Sequence, residues 1–446
     1  MTGCQVWSFD GAGWTWLNEA GFGGPGTRDG RQVASWAMAV CDNKLYVGTS
    51  AATPDTADIS SYPGCQVWRY DGGTSWTQVN IDGFGNNHNT MVRSMATYDN
   101  KLYAGIYYYD PAGAPSSNKR YQILRYDGGT SWNPVRETPF GEKVEYPDSM
   151  AVMGSKLYVA IANYMTGVTV LSYDGATWEQ VSTPGLGDRW NSSGRCMTVF
   201  DDKLYLGTGT DVLEDPIKAG CRVWRYDGGT SWSQVNTDGF GTSNNKTADS
   251  MIVFKSDLYV GTWNQVTGCE IWRFDGISWQ QVNAGGFGSP NDNSAAGTLA
   301  VYNFEMYAGA YQNIQPGSSG FQTSAQGRPC QVWRESAPQP AQRVAATDSI
   351  GVSEPRQKWY LAEGSTDGGM ETFVLIQNPN DTDVQVNIKF QTDTGEKAPA
   401  DLQGIGIPAR SRLTYKVNNY VASYNVSSVV DADKPVIVER ALYISQ

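Results

Sequence analysis

Leu45-Tyr46-Val47-Gly48-Thr49, then Cys65-Gln66-Val67-Trp68-Arg69-Tyr70-Asp71-Gly72-Gly73-Thr74-Ser75-Trp76, then Gln78-Val79-Asn80 and Gly83-Phe84-Gly85 form a phrase that the chain repeats about every 50 residues. Its register shows in the tyrosine of the Leu-Tyr pair, at Tyr46, Tyr103, Tyr158, Tyr205 and Tyr259, with Met306-Tyr307 as a looser sixth copy. Short segments rich in β-branched and aromatic residues, punctuated by Gly, Asn and Asp, read as strands joined by tight turns. In the second copy they run from Ser94 to Tyr98, Lys101 to Gly105, Tyr121 to Tyr126 and Trp132 to Val135. A repeat of this length predicts an all-β fold: a β-propeller of four-stranded blades, six or, counting a spare strand, seven.

The turn between third and fourth strands is the most uniform part of the repeat, at Asp71, Asp127, Asp174, Asp227 and Asp275. Asp folds its carboxylate onto backbone amides, Gly supplies positive φ, and the Trp beyond offers an apolar face to a neighbouring blade. The stretch Ser172-Tyr173-Asp174-Gly175-Ala176-Thr177-Trp178 resembles the Asp-box of sialidase-like propellers, and the whole repeat resembles Kelch-type units. In both families that turn is architectural, so the resemblance implies fold and no activity.

The chain has 446 residues, a net charge of −12 and 17% charged residues. Its acidity is diffuse and it has no run of Lys or Arg, which argues against nucleic acid as a partner. No apolar stretch approaches the roughly 20 residues that span a bilayer, and no secretory signal stands out. Met1-Thr2-Gly3-Cys4-Gln5-Val6-Trp7 aligns with Val266-Thr267-Gly268-Cys269-Glu270-Ile271-Trp272 inside a repeat. The expectation is a trimmed product of a longer precursor.

First and second strands occur six times, but the third-strand phrase occurs a seventh time, at both Cys4 to Ser8 and Cys330 to Arg334. If the ring closes by sharing its last blade between both ends, Trp14 to Asn18 supplies the last fourth strand and one third strand is left over. Three readings stay open: a spare segment, the edge of a partial seventh blade, or a strand offered to another copy. Closure or assembly would then involve Cys4, Val6 and Trp7 with Cys330, Val332 and Trp333. Five of the seven cysteines share one repeat position and fall on different blades, too far apart to bridge. Only Cys4 and Cys330 remain candidates for a disulfide.

Candidate ligand positions lie on the long loops of one face: Tyr108 and Tyr109, Tyr164, Trp263 and Asn264, and Tyr311. Aromatic faces beside amides suit sugar rings, which present C–H patches and hydroxyls together. The residues just before the first strands, Trp36, Arg93, Asp148, Arg195, Asp249 and Gly297, occupy equivalent positions and are expected at the channel mouth, where the charges neutralise one another. His88, the only histidine, has no nucleophile motif to serve. No cofactor is expected; Asp-Gly and Asn-Asp clusters raise Ca²⁺, but no spacing matches a calcium loop.

Past Arg334 the repeat stops. The domain reading is a propeller over 1–334, a Pro-rich linker over 335–357 and an immunoglobulin-like sandwich over 358–446, with strands from Trp359, Thr372, Val384, Arg412, Ser427 and Pro435. Trp359 to Thr366, Glu371 to Asn380 and Lys434 to Tyr443 resemble a module of secreted and cell-surface proteins of actinobacteria and related bacteria. The resemblance covers the last fifth of the chain and implies an extracellular or cell-surface setting. The expected function is a non-enzymatic structural or adhesive scaffold that binds copies of itself, cell-surface components or glycans, and self-assembles through its terminal strands. The alternative is a lectin-like propeller or glycan-active enzyme using the long-loop face.

Overall fold

Two-residue polar turns set the repeat. Asp42-Asn43, Asp99-Asn100, Asp201-Asp202 and Lys255-Ser256 have both residues at positive φ, between 47° and 65°, the geometry that lets a two-residue loop follow the right-handed twist of its strands. Each joins a first strand to a second. The computed structural model describes residues 3–10, 13–23, 32–51, 63–109, 120–139, 145–209, 219–302, 305–311, 331–334, 343–348, 354–366, 370–422 and 425–445. In it the pair occurs six times: Gln32–Cys41 with Lys44–Ala51, Asn89–Tyr98 with Lys101–Tyr108, Glu145–Met153 with Lys156–Asn163, Ser193–Phe200 with Lys203–Gly209, Thr247–Phe254 with Asp257–Trp263, and Ala295–Tyr302 with Glu305–Tyr311. A third strand lies on the second in every copy, and in the first five a fourth lies on the third, all antiparallel. Each first strand packs beside the next, so the fold is all-β and propeller-like.

The repeated tryptophans latch neighbours together. Trp132, Trp178, Trp232 and Trp279 donate their indole N–H to the carbonyls of Val79, Val135, Val181 and Val235 in the preceding unit, at 2.7, 3.0, 2.7 and 2.8 Å. A large apolar ring thus covers the junction while its one polar atom is satisfied. The Asp of the turn is spent locally: Asp174 accepts from the amides of Ala176 and Thr177 at 2.9 and 2.7 Å.

The expected closure of the last unit differs. Trp14–Trp16 pairs with Trp7–Phe9, with Trp7 opposite Trp16, while Gln331–Arg334 takes the third place on Glu305–Tyr311. A hairpin closed across a few residues costs far less loop entropy than pairing the two ends of the unit. This hairpin meets repeat partners on both sides. The Phe9 ring lies 5.8 Å from Tyr307, as Tyr126 lies 5.9 Å from Tyr46, and Trp76 donates to the Leu17 carbonyl at 2.9 Å. Cys4 is a free, buried thiol; Cys330 lies outside the described residues.

The chain divides into two units, Met1–Glu335 and Ser336–Gln446. In the second, the strands expected from Ser427 and from Pro435 are one, Val426–Ser445. Its first part pairs with Arg356–Gly364 and Val384–Thr392, its second with Met370–Gln377 and Arg343–Asp348. Pro435 sits where the partners change, so its missing N–H breaks no ladder and the turn-like Lys434-Pro435 does not end the strand. Arg343–Asp348 is therefore a strand of this unit, although the sequence placed it in the linker; residues 335–342 lie outside the described residues. The core between the pleats is Val374, Ile376, Val386, Ile388, Phe390, Val430 and Val438.

Candidate functional site

Every first strand carries a residue with no partner on the second strand. Pairing skips Trp36, Arg93, Asp148, Asp249 and Gly297, and in the fourth unit Gly194 with Arg195. A β-bulge bends its strand and re-aims the extra side chain. Six bulges in register therefore turn the sequence-equivalent positions toward one another.

The resulting contacts run from unit to unit. Arg93 Nε donates to Asp148 Oδ1 at 2.8 Å, and the Asp148 side chain is 0% exposed. Asp148 Oδ2 accepts from the Gly194 amide at 3.1 Å, which ties the third unit to the fourth. Arg195 Nη1 lies 3.6 Å from Asp249 Oδ1, to which Thr247 also donates. Trp36 holds the Arg93 guanidinium 4.9 Å from its ring centre and stays 36% exposed. Two arginines and two aspartates leave this inner circle close to neutral.

The sixth position is filled differently. A methyl group on Gly297 would lie 2.5 Å from Cε1 of Tyr311, so the missing side chain makes room for the tyrosine ring. Burial pushes the Tyr311 phenol up to about 12; Asp249 adds to the shift, and Arg195 and Arg93 oppose it. Burial pulls the Arg93 guanidinium down, but Asp148 and Tyr146 outweigh it and hold it raised.

Aromatic rings extend the site outward. Arg93 lies 5.8 Å from the Tyr146 ring, Tyr107 packs edge-on to Tyr146 at 5.1 Å, and the hydroxyls of Tyr146 and Tyr164 are 2.9 Å apart. Tyr164 and Tyr311 are therefore both joined to the channel group. Sequence reasoning missed Tyr146, though it stands two residues before the bulge at Asp148; a scan of residues flanking the bulge position would have found it.

Three other loop-face candidates are buried. Tyr108 is buried with His88 stacked on it at 5.1 Å, and His88 Nδ1 sits 3.0 Å from the Tyr109 carbonyl. Trp263 is 6% exposed. Asn264 is fully buried and closes its turn by accepting from the amides of Val266 and Thr267 at 3.0 and 2.9 Å. Tyr108, Trp263 and Asn264 thus face the protein and not the solvent. Tyr109 is half-buried. At the ends, Cys4 and Val6 are buried and Trp7 is exposed, while Trp333 stacks on Phe287 at 4.8 Å and Val332 is exposed. Among the described residues no three His, Cys, Asp or Glu side chains converge, and no helix is long and apolar enough to cross a membrane.

Neither a family model nor a curated protein matches the chain. Among solved structures, the Trypanosoma rangeli sialidase in complex with the inhibitor DANA is 10% identical, covers 93% of this chain and 92% of its own, and gives a TM-score of 0.41. An exo-β-1,3-galactanase of Phanerochaete chrysosporium with galactose is 9% identical over 91% of this chain and 95% of its own, with a TM-score of 0.36. The Anabaena sensory rhodopsin transducer is 23% identical over 21% of this chain and 99% of its own, with a TM-score of 0.17. At these identities the likeness bears on fold alone. The expectation of a non-enzymatic protein is withdrawn, since the solved chains matching over most of this length include a sialidase and a galactanase.

Proposed function

We propose that this protein is directed at carbohydrate and takes a sugar ring at the inner mouth of its first unit. The observation that carries the reading is the ring of bulges, which sets the exposed Trp36 face beside Arg93, two charge-balanced Arg–Asp pairs and the phenols of Tyr146, Tyr164 and Tyr311. Aromatic faces beside a few fixed polar groups suit a neutral polyhydroxylated ring. Within this reading the ring has six blades, and the Trp7–Trp16 hairpin stands at a seventh, outer position, supported by Phe9 against Tyr307 and Trp76 against Leu17. The second unit is an appended sandwich, and the setting we infer from its sequence resemblance is extracellular or cell-surface. A glycan array with native protein and Trp36→Ala tests the function: native protein retains a glycan and the variant loses it. Native protein that holds no glycan overturns the reading.

A further inference from the structure

Successive units are sealed together in one way. Leu102, Leu157, Leu204, Leu258 and Met306 are buried, and each shares a core with the second-strand tyrosine of the preceding unit. Leu45, the remaining member of that column, is only half-buried, and among the described residues no core joins it to Tyr307. First strands pack side by side from the first unit to the sixth, but among the described residues Ala295–Tyr302 does not pack back onto Gln32–Cys41 in that way. A seam is left between the sixth and first units.

The walls of the seam are apolar. Thr97 donates its hydroxyl to the Val40 carbonyl at 2.7 Å, and a methyl group on Gly48 would lie 3.0 Å from the sulfur of Met95, so side chains at these two first-strand positions face the preceding unit. In the first unit the same positions hold Val40 and Met38, which are 63% and 52% exposed. Across from them stands Tyr302, 42% exposed, where the equivalent Phe254 is 5% exposed inside its junction. Exposed apolar side chains gathered at one place mark an interaction surface.

The outer half of a further unit already stands at this seam. Cys4 donates its amide to the Gln32 carbonyl at 2.8 Å, as Cys65 does to Asn89; Phe9 meets Tyr307, and Trp76 donates to the Leu17 carbonyl. These are the contacts that third and fourth strands make with neighbouring units. Elsewhere each third strand lies on a second strand, but among the described residues Trp7–Phe9 pairs with Trp14–Trp16 alone, which leaves its inner edge without a ladder. One first-and-second-strand pair would complete the unit. The six copies of that pair all stand in their own units, and the stretches of sequence outside the described residues carry no further Leu-Tyr. A second copy of the chain could supply the pair only by unpicking one of its own junction cores.

We propose that the seam is a docking site for a β-hairpin with the chemistry of the repeat's own first and second strands, presented by a separate polypeptide segment. The hairpin adds to the free edge of Trp7–Phe9 through main-chain hydrogen bonds. Its Leu lies against Tyr307, its Tyr against Leu45, and it covers Met38, Val40 and Tyr302. The inference does not rest on the carbohydrate reading.

The test is calorimetric titration of the full chain with a synthetic peptide of residues 89–108, which carries the pair from the second unit, and with a scrambled peptide of the same composition. Native protein is expected to bind the first and not the second. Val40→Glu and Tyr302→Ala change side chains that are already exposed, so both variants should fold, which thermal unfolding checks. Each is expected to weaken peptide binding tenfold or more. Native protein that does not bind the repeat peptide, binds the scrambled one equally well, or loses nothing in either variant overturns the inference. A dimer of the full chain in light scattering that Val40→Glu dissolves overturns the choice of occupant, since a second copy then fills the seam. Glycan retention by native protein and Trp36→Ala is read separately, so either reading can fall alone.

Discussion

The contact between neighbouring sheets offers a test with a built-in control. Second-strand Gly261 faces Ala296 of the next unit; a methyl group on Gly261 would lie 2.5 Å from Ser250 Oγ, 2.8 Å from the Ala296 carbonyl oxygen and 2.9 Å from its Cβ. Gly261 is not in the left-handed region, so backbone conformation does not require glycine there. Two units earlier the same junction is inverted: the second strand carries Ala160 and the facing residue is Gly194. The surroundings match. Ser149 is opposite Ala160 and donates to the Gly194 carbonyl at 2.6 Å; Ser250 is opposite Gly261 and donates to the Ala296 carbonyl at 2.7 Å.

Gly261→Ala alone overpacks the junction and should cost about 1–3 kcal/mol. Ala296→Gly alone removes a buried methyl worth about 0.8 kcal/mol and adds roughly 0.5–1 kcal/mol of backbone entropy. If independent, the two would sum to about 2–5 kcal/mol. The double variant instead rebuilds the Ala160/Gly194 arrangement and should lose only about 1 kcal/mol, a coupling of about 2 kcal/mol. Urea unfolding of the four proteins, followed by tryptophan fluorescence, measures the cycle. Additivity within about 0.5 kcal/mol would refute the claim that one methyl group per junction sets the spacing.

Asp148→Asn leaves the buried Arg93 guanidinium without its charge partner and should destabilise by about 3 kcal/mol; unchanged urea midpoints would show that the pair does not hold the inner circle. Backbone amides of Thr177 and Ala176 hold the exposed Asp174 carboxylate down at about 2 from the usual 3.8, and Asp275 is lowered by the same kind of contacts. A depressed carboxyl stabilises above its unfolded value, so this contribution is complete above pH 3.8 and is lost as pH falls toward about 2. Asp174→Asn should flatten that part of a melting-temperature profile; an unaltered profile counts against it. Burial pushes the thiols of Cys4 and Cys269 up to about 12 and raises those of Cys65 and Cys221. A thiol reagent at pH 8 should label these four only as the protein unfolds, and prompt native labelling would contradict their burial.

The repeat made the inner circle legible because six aligned copies place Trp36, Arg93, Asp148, Arg195, Asp249 and Gly297 in one column. Their shared property, a bulge, was not legible, since it depends on cross-strand register that no single strand encodes. Burial on the loop face failed for a related reason. Tyr107 and Tyr108 adjoin in sequence but alternate across the sheet, and the rings they meet, Tyr146 and His88, come from other strands. In the second unit Pro435 carried a turn signal that the topology cancels, because the strand changes partners where the proline lacks its N–H.

Arg136 shows where repeat reasoning has most left to give. In a repeated fold each copy is the control for the others, so a residue is informative in proportion to how it departs from its column. Val135-Arg136-Glu137 stands where other copies have Val79-Asn80-Ile81 or Val235-Asn236-Thr237. The asparagines of those copies satisfy the third-strand amides of Val67 and Val223 at 2.7 Å. Arginine there gives up that bond, and the strand extends past the position where a turn would form. At the same junction the Arg136 guanidinium lies 5.5 Å over Trp178. Two local rules are broken together within one hairpin while the unit on either side keeps both, so packing within the repeat alone does not account for arginine at this position.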